Sequence, residues 1–174
     1  MKKLILVLVL CAVILFGASL ALNGFAAKNA QKEHLWLMQT ILPGSENFTL
    51  EPYAGDDANI RSVHKGETGY VIETVTAGYA GDIRMLVGVS NEGKVVGIVI
   101  RDMHETRGLG NRGLTDTDFL AQLLCTSGEA AVGTDIDALS GATVTSKAVV
   151  RCVNSAAAFV TGVDTSSGAT SWGG

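Results

Sequence analysis

A chain of 174 residues with 47% apolar content can build one compact domain plus one apolar segment, but not two full domains. Its net charge of -4, with no basic stripe or run, lacks the electrostatic footprint of a nucleic-acid binder. Cys11, Cys125 and Cys152 form no C-x-x-C pair and no Cys/His cluster at ligand spacing, which argues against an iron–sulfur or zinc site. Cys125 and Cys152 read either as small apolar residues in separate core helices or as a disulfide in an oxidising compartment.

Met1-Lys2-Lys3 precedes an apolar run from Leu4 to Leu22, and no charge appears until Lys28. A helix of roughly 20 apolar residues matches the ~30 Å hydrocarbon core, so residues 1–27 are expected to form a cytoplasmic tip and a transmembrane anchor. A cleaved secretory signal is the alternative. Against it, the run exceeds an ordinary signal core, Ser19-Leu20-Ala21 is a mediocre cleavage site, and Leu10 before Cys11 does not suit lipidation. The lysines flanking the run balance, Lys2 and Lys3 against Lys28 and Lys32. A very short basic N-terminus normally stays inside, which puts the rest of the chain on the extracytoplasmic side.

From Lys28 the helical pattern continues, with Leu35, Met38 and Leu42 as one apolar stripe ending at Pro43-Gly44. Residues 45–59, with Pro52, Gly55 and Asp56-Asp57, carry turn chemistry and little periodicity, so 28–58 reads as a helical stalk and loop. The pattern then changes to β-branched runs. Tyr70–Thr76, Ile83–Val89 and Lys94–Ile100 are candidate strands, the last two joined through Ser90-Asn91-Glu92-Gly93 in an antiparallel hairpin. Thr115–Leu124, acidic in its first turn, is a short helix. A longer helix runs from Thr143 or Thr145 to Val160, with Val149, Val153, Ala156 and Phe159 on one face, and ends near Gly162. The fold class expected is α+β, an antiparallel sheet flanked by helices in residues 59–162. Residues 163–174 form a Gly/Ser/Thr tail.

The chemistry concentrates in Asp137-Ala138-Leu139-Ser140-Gly141-Ala142-Thr143-Val144-Thr145-Ser146, where a loop opens the long helix. Unpaired N–H groups and the positive end of the helix dipole favour a phosphate there. Gly141 and Ala142 allow close approach to the backbone, and Ser140, Thr143, Thr145 and Ser146 offer hydroxyls. The same residues also make an ordinary helix cap, and local chemistry alone leaves both readings open.

That string resembles the flavinylation motif D-x-x-[ST]-G-A-T-x-[ST] of the FMN-binding domain family. The family includes the G subunit of the Rnf complex and the C subunit of the sodium-pumping NADH:quinone reductase. The resemblance implies that Thr143 is joined to the FMN phosphate as a phosphoester by a separate flavin transferase. Asp137, Ser140, Gly141, Ala142 and Thr145 match the pattern that the transferase reads. His104-Glu105-Thr106-Arg107-Gly108-Leu109-Gly110 resembles the family's H-x-E-T-P-G-L-G segment, with no Pro before Gly108. By that resemblance Glu105, Thr106, Leu109 and Gly110 lie near the flavin; taken alone, the segment is a Gly-rich turn. Gly69–Ala77 is similar to a family strand, and the short chain favours the Rnf member of the pair.

Asp164-Thr165-Ser166-Ser167-Gly168-Ala169-Thr170 repeats D-x-x-S-G-A-T in the tail, which makes Thr170 a second candidate acceptor. It lacks a hydroxyl residue two places on and a helix to supply N–H groups, so Thr143 is the expected site. The resemblance implies an electron-transfer subunit of a membrane-bound, ion-translocating ferredoxin:NAD oxidoreductase. Other Rnf subunits, the lipid bilayer and the flavin transferase are its implied partners, and nucleic acid is not. No G-x-G-x-x-G stands between a strand and a helix, so the chain reads as a relay rather than a complete enzyme. An exported FMN-binding carrier of another respiratory or extracellular electron-transfer system, or a non-redox interaction domain, are the alternatives. His34 and His64 stand without ligand-spaced partners in sequence. Arg84 and Arg101 read as solvated strand residues, and Trp36 as an aromatic near the membrane surface or a partner helix.

Overall fold

The computed structural model describes residues 16, 28–103 and 116–163. The apolar run, the His104–Gly110 segment with Glu105, Thr106, Leu109 and Gly110, and the second D-x-x-S-G-A-T copy fall outside those residues. Among the described residues no helix is long and apolar enough to cross a membrane. Contacts divide the chain into two compact units, Met1–Trp36 and Leu37–Gly174. The first is described only at Phe16 and from residue 28 onward.

The second unit is built on a five-stranded antiparallel meander in the order β1 (Thr49–Glu51), β2 (Ile60–Lys65), β3 (Gly69–Ala77), β4 (Asp82–Ser90) and β5 (Val95–Met103). The expected hairpin joins β4 to β5: Ser90 N–H donates to the Lys94 carbonyl at 2.8 Å, and Gly93 takes the left-handed φ of 81° that the turn requires. Two strands, β1 and β2, escaped the sequence pattern. β1 lies inside the expected loop; its Leu50 is 64% exposed and Pro52 follows at once, so no alternation marks it.

Both faces of the sheet are covered, which explains the near-continuous burial of β3 and β4. On one face Val63, Ile72, Met85 and Val87 meet Val149, Val153 and Ala156 of the long helix α3 (Thr143–Thr161). Gly162 ends α3 in the left-handed conformation, φ 73°, as the sequence predicts. On the other face Val71 and Leu86 pack with Met38, Ile41 and Leu42 of helix α1 (residues 28–41) and the turn after it. The sheet unit thus begins at Leu37, earlier than the boundary expected near residue 59.

Gly88 and Gly97 are register partners on that second face, and a Cβ on either would collide with the Ile41 carbonyl oxygen. The absence of side chains at this pair lets the end of α1 lie directly on the sheet. The short helix α2 (Thr117–Gln122) starts where Asp116 Oδ1 accepts from the Phe119 N–H at 3.0 Å, and it buries Phe119.

Cys125 departs from the core-helix reading. It is exposed in the turn after α2, with φ 64°, and its N–H donates to the Val95 carbonyl at 2.8 Å. The turn needs a left-handed residue there, which takes Cys125 off the helix. Cys152 is buried in α3, and both thiols are free.

Overpacking a tight backbone contact costs typically about 1–3 kcal/mol, so Gly97→Ala should lower the unfolding free energy of the sheet unit by that order and shift its denaturant midpoint down accordingly. A midpoint equal to that of the parent chain would show that α1 does not bear on the sheet through this glycine pair.

Candidate functional site

α3 runs antiparallel to β3. Arg151 Nη1 lies 3.4 Å from Thr76 Oγ1 near the end of the strand, and the Phe159 ring meets Tyr70 near its start, 5.7 Å between centroids. The first turn of α3 therefore lies toward the sheet end where Thr76, Ile83 and Met103 stand side by side in register. β5 ends there at Met103, and the chain passes into residues 104–115.

The start of α3 is open. Its N-cap residue is Ala142, which supplies no side-chain hydrogen bond, so Thr143 is the first helical residue and not a cap. Ala142 N–H is used by the Leu139 carbonyl at 2.9 Å. The next three N–H groups, of Thr143, Val144 and Thr145, find no acceptor among the described residues. Those are the orphan donors of a helix start, and the first turn carries no acidic side chain to oppose an anion. Thr143 is exposed, and so are Ser140 and Gly141. Gly141 has φ 75°, a left-handed turn that brings the loop into the helix without a Cβ penalty.

Two of the hydroxyls expected to face a ligand point the other way. Thr145 is 1% exposed and Ser146 fully buried. Ser146 Oγ accepts from the Leu139 N–H at 2.9 Å and donates to the Ala142 carbonyl at 3.0 Å, so it fastens the loop to the helix. Spacing of 3 and 4 from Val149 puts both residues on the apolar face of α3, a signal available in the sequence. Of the motif residues around the helix start, Ser140, Gly141 and Thr143 stay exposed, while Ala142 is buried in the core.

Two clamps were invisible to sequence reasoning. Gln122 Oε1 on α2 accepts from the Asp137 N–H at 2.7 Å, and Asn154 Nδ2 and Oδ1 bond the Ala130 carbonyl and N–H at 2.8 and 3.2 Å. Together they hold both ends of the approach to the Ser140 loop. Between α2 and that loop lies a cavity of about 270 Å³, with Asp116, Asp118, Gln122, Asp137 and Ser140 in its wall. Among the described residues no group of three His, Cys, Asp or Glu is placed to hold a metal ion. Arg84 is partnered by Glu73 at 3.9 Å.

The arrangement fits a phosphorylated cofactor: an accessible hydroxyl, three convergent N–H donors and a small-residue approach. Arg151 adds a cation farther along α3. Burial pushes the neighbouring Cys152 thiol up to about 11, against smaller opposing pulls from the Thr74 hydroxyl and the Arg151 guanidinium.

A model of the FMN-binding domain matches residues 78–158, which includes β4, β5, α2 and most of α3. The G subunit of the ion-translocating oxidoreductase complex of Salmonella typhimurium is 36% identical over 150 residues, 72% of each chain. Its counterpart from Methanosarcina acetivorans is 33% identical over 135 residues, 68% of this chain and 70% of that one. The G subunit of the Na(+)-translocating ferredoxin:NAD(+) oxidoreductase complex of Acetobacterium woodii is 38% identical over 95 residues, 49% of this chain. The match spans 46% of that Acetobacterium protein and 58% of a Haemophilus influenzae counterpart.

Ser146→Ala would strand the buried Leu139 N–H, at a cost of about 1–3 kcal/mol in chemical denaturation. A loss below about 0.5 kcal/mol would mean that the hydroxyl does not hold the loop. The raised Cys152 pKa has a sign as well. Between about pH 9 and about 11 the unfolded thiol ionises while the folded one keeps its proton, so this group's contribution to stability is full below 9 and falls as pH rises through 11. Peptide mapping after alkylation of the folded chain at pH 8 should find Cys125 modified and Cys152 intact.

With two relatives matched over more than two thirds of their length, the chain belongs to the family of G subunits of ion-translocating oxidoreductase complexes and carries an FMN-binding domain.

Proposed function

We propose that this chain is the FMN-carrying electron-transfer subunit of a membrane-bound, ion-translocating ferredoxin:NAD oxidoreductase, with the flavin held covalently by a phosphoester to Thr143. One observation carries the reading. An exposed threonine hydroxyl stands at the first residue of a helix whose cap is an alanine and whose first three N–H groups have no acceptor among the described residues. A phosphate esterified there receives those N–H groups and the helix dipole, and it asks for no basic side chain.

Bound FMN supplies one- and two-electron redox chemistry, and every other task falls to the protein. Thr143 retains the cofactor where a lost molecule could not readily be replaced. Gly141 and Ala142 keep the approach clear, and Ser146, Gln122 and Asn154 hold the loop in one geometry. The exposed Asp137, Ala138 and Ser140 are available to a flavin transferase during maturation. The apolar run before Lys28 anchors the chain as a single pass, with the flavin domain on the extracytoplasmic side beside the other subunits of the complex. The relatives' names support membership of an ion-translocating complex: the Acetobacterium protein belongs to a sodium-translocating one and that of Clostridium ljungdahlii to a proton-translocating one.

Co-expression with a flavin transferase, followed by fluorescence of the denatured chain on a gel, tests the attachment. Thr143→Ala should abolish the signal and Thr170→Ala should keep it. Because Thr143 is exposed, its replacement should change stability by less than about 0.5 kcal/mol, separating lost attachment from lost fold. Fluorescence that disappears only in the Thr170 variant rejects Thr143 as the acceptor.

A further inference from the structure

We infer that Arg151 is the residue that receives the ring of the flavin, its guanidinium meeting the pyrimidine edge at N1 and the C2 carbonyl; the inference rests on a flavin tethered at Thr143. This arginine lies outside the flavinylation motif. It is half-buried, and its Nε is fully buried with no hydrogen-bond partner. Among the described residues its guanidinium makes one long hydrogen bond, 3.4 Å from Nη1 to Thr76 Oγ1. No carboxylate of a described residue lies within 4.0 Å of it. Thr74 Oγ1, two residues back on the same face of β3, is also buried, beside the Cys152 thiol. A guanidinium whose Nε is sealed off without a partner, beside a buried hydroxyl, marks a place where an acceptor belongs.

Position selects which part of the cofactor that acceptor is. Arg151 lies eight residues after Thr143, roughly 12 Å along the helix axis at 1.5 Å per residue. Its guanidinium is held at Thr76 of β3. A phosphate on Thr143 is thus served by the helix N–H groups and is out of the arginine's reach. The five-carbon ribityl chain that separates phosphate from ring bridges a gap of this kind and delivers the ring to the sheet end beside Thr76.

The guanidinium is the right shape for that edge. Its N–H groups form a planar fork, and N1 with the C2 carbonyl is a planar pair of acceptors. When a flavin ring is reduced, negative charge collects at this edge, and a fixed cation stabilises it in a partly water-excluded site. Arg151 should therefore raise the reduction potential of the bound flavin.

The test uses the full chain co-expressed with the transferase, as wild type, Arg151→Gln and Arg151→Lys. Covalent flavin per chain is measured by mass, together with the visible absorption spectrum and the midpoint potential by spectroelectrochemical titration. Arg151→Gln should keep its flavin, since Thr143 is intact, and show a shifted absorption band. Its one-electron reduction equilibrium should weaken about tenfold, which is about 59 mV to the negative side. Arg151→Lys, which keeps the charge and loses the fork, should fall between the two. Loaded variants with the wild-type spectrum and potential overturn the assignment of Arg151 and leave Thr143 standing. A wild-type chain without covalent flavin overturns the Thr143 reading and this one with it. If Arg151→Gln does not fold, the lysine variant decides: an unchanged potential there rejects the inference.

Discussion

A helix start carries N–H groups that must meet an acceptor, and in this protein neither a side chain nor the preceding loop provides one for Thr143, Val144 and Thr145 among the described residues. The first turn of α3 cannot simply fray to reach solvent. Thr145 and Ser146 are buried, Ala148 and Val149 follow into the core, and the Ser146 hydroxyl ties the turn to Leu139 and Ala142. A rigid helix end with unpartnered donors is a standing electrostatic demand for an anion. The Gly141 turn, the alanine cap and the outward Thr143 hydroxyl make sense as answers to that demand.

The sheet supplies the second coordinate. Because α3 lies antiparallel to β3 and is held along most of its length by apolar contacts, the distance from Thr143 to the sheet end is fixed by helix geometry. On the proposed attachment at Thr143, a flexible ribityl chain would leave the ring free to wander unless a second contact received it. A tether without a cradle would retain a cofactor but would not set its potential. Arg151, a cation on the same helix and in contact with Thr76 near the end of β3, is the contact proposed for that second task.

Much of this was legible in the sequence, for reasons that differ element by element. The 3 and 4 spacing of Val149, Val153 and Ala156 and the terminal Gly162 placed the end of α3 to within a residue and left its start between Thr143 and Thr145, because a long buried helix writes its period plainly. The β4–β5 hairpin was equally plain through its Asn and Gly turn. β1 was not: three edge residues with an exposed Leu50 have neither length nor alternation. The stripe foreseen in α1 was partly right, since Met38 and Leu42 are buried, but Ile41 takes the place given to Leu35, which is 39% exposed. Thr145 and Ser146 offer hydroxyls beside the motif but are buried, as their spacing from Val149 already indicates. Gln122, Asn154 and Arg151 were silent because each acts through a partner distant in sequence, and no local pattern announces such a pairing.

The glycine pair on the back of the sheet has a practical meaning. Val71, Leu86 and the bare backbone at Gly88 and Gly97 are covered by Leu37 to Leu42, and β1 pairs with β2 from within the segment that precedes the β-rich pattern. A fragment cut where that pattern begins, at about residue 59, would uncover that face and leave β2 as a raw edge, an invitation to aggregate. The self-sufficient piece of this protein therefore starts before the sheet, at Leu37 or earlier, with the last turns of α1 acting as the lid of its second core.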